Sequence, residues 1–185
     1  MLRNTSSSYG LVAIFLHWLM AVALFAMFGL GLWMVELNYY DSWYHDAPYM
    51  HKAIGMLLLF LLLFRLVWRL SNTRPALMGE AWEQFIALLV HRSHYLLLFG
   101  VTMTGYLIPT AEAVGIDIFG LFTVPASFSF TKEEADLIGL LHLYIAWAVI
   151  ALAIVHAAAA LKHHVIDKDI TLLRMFGKTG NSSQK

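Results

Sequence analysis

The chain contains no cysteine. That absence excludes disulfides, iron–sulfur clusters, thiolate-ligated haem and covalent c-type haem attachment together. Charge is also scarce: 13% of the 185 residues are Asp, Glu, Lys or Arg, against about 25% in soluble domains. Twelve basic and twelve acidic residues cancel, so no basic surplus is available to attract nucleic acid, which is excluded as a partner. Of the four prolines, Pro75, Pro109 and Pro125 fall in or beside expected connections, as suits residues that break helices. What is abundant is apolar. Sixty per cent of the chain is hydrophobic and concentrated in long runs, so the chain reads as a membrane protein with the lipid bilayer as its main partner.

Residues 11–35 carry no charge. A secretory signal has a shorter apolar stretch and a small-residue cleavage site, whereas about 20 apolar residues cross a bilayer. This run is therefore expected to be a retained helix. Four spans are expected, at about 12–34, 51–70, 85–109 and 137–161. The fold class is all-α: an integral membrane four-helix bundle forming a single domain over 1–185. Residues 116–124 are apolar but too short to span, and are expected to lie flat on the membrane surface. Thr131 and Glu134 have the spacing of a capping box opening the fourth helix. Residues 175–185 are expected to form a disordered tail.

Ten cationic side chains (Arg3, Arg65, Arg69, Arg74, Arg92, Lys162, Lys168, Arg174, Lys178 and Lys185) fall on one side of this arrangement, and only Lys52 and Lys132 on the other. The positive-inside bias places both termini in the cytoplasm. The outer side holds Glu36, Asp41, Asp46, Glu112, Asp117, Glu133, Glu134 and Asp136 and is acidic.

Ionisable residues inside spans are expensive and usually functional. Four histidines qualify: His17, His51, His142 and His156. His142 and His156 are fourteen residues apart, about 21 Å along a helix and within about 40° of one face. One face of helix four then serves two levels, with His156 opposite His17 toward the cytoplasm and His142 opposite His51 toward the outside. Two facing pairs of imidazoles, with no thiolate or carboxylate at matching depth, suggest two non-covalent haems b with bis-histidine ligation and electron transfer across a membrane. His94, at a depth similar to His17 and His156, is a rival ligand. Arg65 lies fourteen residues after His51 and returns to the same face near the cytoplasmic level, where it suits a haem propionate. Gly31 is expected level with the outer pair, and Gly55 and Gly139 one turn from His51 and His142. Each offers either room for a flat ring or close helix packing. His45 is expected to be solvated in an outer loop. His91, His94, His163 and His164, with Arg92, Lys162 and Tyr95, gather at the cytoplasmic boundary. They read either as a quinone site or as interfacial side chains reaching to water.

These residues bring the chain into line with a known family. Phe15-Leu-His17-Trp18-Leu, His51-Lys-Ala-Ile-Gly55, Arg65-Leu-Val-Trp-Arg69, Ser93-His94-Tyr95, Leu141-His142, and above all His156-Ala-Ala-Ala-Ala-Leu-Lys-His163-His164 with Asp167-Lys-Asp169 and Thr171-Leu-Leu-Arg174-Met, resemble the bacterial cytochrome b561 family over nearly the whole length. The resemblance implies haem b, a bacterial inner-membrane location, the same histidine pairing, and exchange of electrons with ubiquinone, His163 falling where a quinone-contacting histidine is expected. The expected function is electron transfer between a periplasmic redox partner and the quinone pool. One branch is similar to a superoxide oxidase, which favours a positive entrance for its anionic substrate; the acidic outer side argues against that activity, with Lys52 as its remaining support. A haem-bearing anchor subunit of a larger dehydrogenase is a third reading. No broken-helix or inverted-repeat pattern supports a non-redox transporter.

Overall fold

The computed structural model describes residues 1–111 and 113–178. Glu112, counted among the outer acids, and residues 179–185, which include Lys185 and most of the expected tail, lie outside the described residues. The chain is predominantly helical: α1 (Leu11–Met34), α2 (Asp46–Leu70), α3 (Ala81–Thr110), α4 (Lys132–Val165) and a single turn, α5 (Thr171–Arg174). The first four are long and apolar enough to cross a membrane, and as helices they satisfy their backbone groups internally, which the bilayer core demands. They alternate in direction, so both termini share one end of the bundle, here the terminal end. The α1–α2 and α3–α4 connections lie at the opposite, loop end.

Three helices start earlier than the apolar runs suggest, and each start has a local cause. α2 begins at Asp46, five residues before His51. Its first amides bond back to the loop, Ala47 to the Trp43 carbonyl at 3.0 Å and Tyr49 to His45 at 3.3 Å, while Asp46 favours a helix N-terminus and Pro48 is tolerated in the first turn. α3 begins at Ala81, where the Glu83 carboxylate accepts the Glu80 amide at 3.0 Å. α4 is opened by the expected capping box. The Glu134 amide donates to Thr131 Oγ1 at 3.3 Å, and Glu134 Oε2 accepts the Thr131 amide at 2.8 Å. At about 1.5 Å per residue the 34 residues of α4 are longer than a hydrocarbon core is thick.

Residues 116–124 are not a single flat apolar strip. They fold into an antiparallel hairpin, β1 (Ile116–Ile118) with β2 (Phe122–Val124). The turn carries positive φ at Phe119 and Gly120, the pattern of primed hairpin turns, and the Asp117 carboxylate accepts the Gly120 amide at 2.9 Å. Ile116 and Ile118 enter a buried cluster with Ala53, Met56 and Leu59 of α2 and Tyr106 of α3. The hydroxyl of Tyr49 donates to Asp117 at 2.8 Å. The hairpin therefore plugs the loop end of the α2–α3 seam. Ile116 and Ile118 are buried by protein, because alternation lets two isoleucines face inward over three residues, whereas Phe119, Leu121 and Phe122 stay exposed.

α3 lies along α4, α1 along α2, and α2 along α3, whereas α1 approaches α4 only briefly. Among the described residues the α2 and α4 backbones nowhere come within 8 Å, Cα to Cα. Across the loosely packed α1–α4 side and the wide α2–α4 diagonal the histidines face one another.

Candidate functional site

His17 in α1 and His156 in α4 present their rings to each other with centroids 6.3 Å apart. His51 in α2 and His142 in α4 do the same at 6.2 Å. All four are half-buried. Fourteen residues of α4 separate the two levels. The distances test whether an iron fits between the rings. An imidazole nitrogen sits about 2.0 Å from a transition metal, and a further ~1.1 Å separates it from its ring centre, so two axial rings should lie about 6.2 Å apart. Both facing pairs meet that requirement.

At the loop-end level the ligand geometry is set by packing. Nδ1 of His142 donates to the carbonyl of Val101 on α3 at 2.9 Å, which fixes the tautomer and leaves Nε2 with its lone pair, the arrangement usual for a metal-bound histidine. Two glycines hold the rings. A Cβ on Gly105 would lie 3.0 Å from His142 Cε1, and one on Gly31 would lie 3.1 Å from His51 Cε1. Gly31 is thus level with the outer pair as expected, and the ring it admits is that of His51. Gly55 meets only Met27, and Gly139 nothing within 4 Å, so the close-approach role falls to Gly31 and Gly105. Gly105 escaped the sequence reading because it belongs to α3, which carries no histidine at this depth. The small-polar pair Thr104-Gly105 within an apolar span was its only signal.

The terminal-end level is more crowded. His156 has His91 at 5.5 Å and His94 at 5.4 Å besides His17. Those two separations are shorter than an iron between rings requires. Nδ1 of His94 donates to Val90 of its own helix at 2.9 Å. Arg65 reaches this level as its spacing implies: Nη2 lies 3.2 Å from His17 Nδ1, and Nη1 3.6 Å from Met20 Sδ. A guanidinium only donates, so this contact engages the Nδ1 lone pair of His17. The Tyr95 ring lies under both Arg65 and Arg69, at 5.7 and 5.2 Å.

The boundary cluster expected from sequence is divided among three sets of neighbours. His91 and His94 turn into the bundle beside His156. Arg92 and Tyr95 line a cleft between α2 and α3. His163 lies in a cleft of about 380 Å³ with Met78, Glu83, Asp167 and Asp169. There His163 Nδ1 is 2.9 Å from Asp167 and 3.2 Å from Asp169, while Lys162 bridges Glu83 and Asp167 at 2.7 Å each. Glu83, His163 and Asp167 offer atoms within 4.8 Å of one another, but the Lys162 ammonium already supplies the cation for both carboxylates. His45 is exposed, edge-on to Tyr39 and Tyr44. At the terminal end Trp18 Nε1 donates to the Met175 carbonyl at 2.8 Å, tying the segment after α5 to α1 one residue from His17.

Comparison with known proteins agrees with this architecture. The family model described as prokaryotic cytochrome b561 matches residues 8–178. The chain is 45% identical over 180 residues, 96% of each protein, to cytochrome b561 homolog 2 of Escherichia coli (strain K12). It is 28% identical over 174 residues, 92% of this chain and 96% of the relative, to a Yersinia pestis protein described as probable superoxide oxidase CybB. It is also 28% identical over 170 residues, 88% and 93% of the two, to cytochrome b561 homolog 1 of Escherichia coli (strain K12). With its four membrane-length helices and a match over nearly the whole chain, the protein belongs to the prokaryotic cytochrome b561 family, membrane cytochromes that transfer electrons across a membrane on haem b.

Proposed function

We propose that the chain is a single-domain, two-haem electron carrier that links a periplasmic redox partner to the ubiquinone pool, with both termini in the cytoplasm. The observation that supports this reading is the pair of facing histidine separations, 6.3 and 6.2 Å, at two levels of one bundle. When bound, haem b supplies an iron that gains and loses one electron.

The residues divide the work. His51 and His142 would hold the loop-end iron, His142 oriented by the Val101 carbonyl and the two rings seated against Gly31 and Gly105. His17 and His156 would hold the terminal-end iron, and His94, only 5.4 Å from His156, would be its neighbour. A His17 that ligates through Nε2 carries its proton on Nδ1 and no longer accepts from Arg65. The guanidinium is then free for a carboxylate such as a haem propionate, which its fork of donors suits. The hairpin covers the loop-end side of the α2–α3 seam and would limit water at that level. His163, between two carboxylates in an open cleft, is placed to exchange a proton with a reduced or oxidised quinone.

The test is haem stoichiometry followed by quinone reduction in proteoliposomes. Wild-type protein should bind two haems b, and both should reoxidise on adding ubiquinone. One haem per chain, or haems indifferent to quinone, would overturn the corresponding half of the reading.

A second reading, superoxide oxidation, is favoured by the Yersinia pestis relative. Lys52, exposed one residue from His51, is the cation nearest in sequence to the outer pair. A superoxide pulse that reduces the haems promptly would support this reading, and haems left oxidised would remove it.

A further inference from the structure

Between α2 and α3 at the terminal end lies an open cleft of about 220 Å³. Three arginines line it: Arg69 from the last turn of α2, Arg74 from the connection and Arg92 from α3, with the Tyr95 ring beneath Arg69 at 5.2 Å. Among the described residues no carboxylate lies within ion-pair distance of any of the three, and no side-chain hydrogen bond engages them. Elsewhere at this end Glu83, Asp167 and Asp169 have cationic or imidazole partners. Glu83 and Asp167 share Lys162. The rest of the cleft is apolar, formed by Leu66, Leu70 and Leu88.

The cleft sits at the depth of a membrane boundary. Trp68 adjoins Arg69, and exposed Trp82 and Phe85 stand on the first turns of α3; tryptophan gathers at headgroup level. Unpaired guanidinium groups there need an anion, and a phosphate oxygen pair matches the guanidinium fork. The leucines need an apolar neighbour. A soluble anion meets only the first need, whereas a phospholipid meets both. No lining residue belongs to α1 or α4, the helices that carry His17 and His156, and the cleft meets the histidine site only through Tyr95, whose ring also lies under Arg65.

We propose that this cleft binds the headgroup phosphate of an anionic phospholipid, with Arg69, Arg74 and Arg92 as its cations and the leucines flanking the first carbons of its acyl chains. Basic pockets between helices on the cytoplasmic side are suited to such headgroups.

The experiment reconstitutes haem-loaded protein into vesicles of equimolar phosphatidylcholine and phosphatidylglycerol, extracts it in mild detergent and counts retained lipid by native mass spectrometry. Wild type should retain phosphatidylglycerol in preference, and added inorganic phosphate should not displace it. Arg69→Gln with Arg92→Gln should weaken retention roughly thirtyfold, and Arg74→Gln, which lies in the connection and disturbs neither helix, about fivefold, as expected for cations near a membrane surface. Lysine at the same positions should keep most of the preference. The proposal fails if wild type shows no lipid preference, if inorganic phosphate displaces the lipid, or if Arg74→Gln leaves retention unchanged. It fails also if Arg74→Gln lowers haem content, which would assign the arginines to haem.

Discussion

The two histidine levels are built from the same helix, α4, yet they keep different company. At the loop end His51 and His142 face each other with little else titratable nearby, held by two glycines and a backbone carbonyl. At the terminal end His156 is ringed by three imidazoles and His17 touches a guanidinium. Packing fixes the first level, whereas polar neighbours tune the second. Substitutions of neighbouring residues should therefore lower occupancy of the loop-end centre, while at the terminal end they should shift the centre's potential without removing it.

The largest effects should come from the axial positions. His142→Ala should leave one haem, with the terminal-end spectrum intact, and His17→Ala should leave the other. His94→Ala should retain both haems; loss of the terminal-end signal would make His94 the ligand and overturn the spacing argument. Next in size are the glycines. Gly105→Ala places a Cβ 3.0 Å from the His142 ring and Gly31→Ala one 3.1 Å from His51, so each should lower loop-end occupancy. Gly139→Ala, with nothing within 4 Å, should leave it unchanged, and equal effects at all three would show that helix packing rather than the rings is at stake.

A smaller effect should separate the levels by potential. Arg65→Gln removes a cation beside His17, which favours the oxidised iron and should lower the terminal-end midpoint potential by on the order of tens of millivolts. Arg65→Lys should restore most of it, and the loop-end potential should stay put. The smallest expected change is Tyr49→Phe. Loss of the hydrogen bond to Asp117 should loosen the hairpin by about 1 kcal/mol, read as a lower thermal midpoint with full haem content.

The features that depend on one helix alone were legible in sequence. Four spans, the Thr131–Glu134 capping box and the fourteen-residue spacing in α4 all follow from local periodicity, and the facing of His17 with His156 and His51 with His142 follows from depth. What required the structure depends on other elements. Gly105 matters because α3 passes beside His142. The hairpin exists because α2 and α3 offer Ile116 and Ile118 a buried surface, where an isolated apolar segment suggested a membrane surface. His91 was expected only at the boundary and His94 either there or at the depth of His17; α3 starts at Ala81, and both rings lie beside His156. The signal for that start, Glu83 reaching back to Glu80, was hidden because glutamate is an unusual residue at the head of a helix.

The most direct test of the account is a pyridine haemochrome assay with reduced-minus-oxidised spectra on purified wild type, His142→Ala and His17→Ala. The account predicts two haems b in the wild type and one in each variant, with different spectra remaining. A single haem in the wild type, or two haems surviving in either variant, would contradict it.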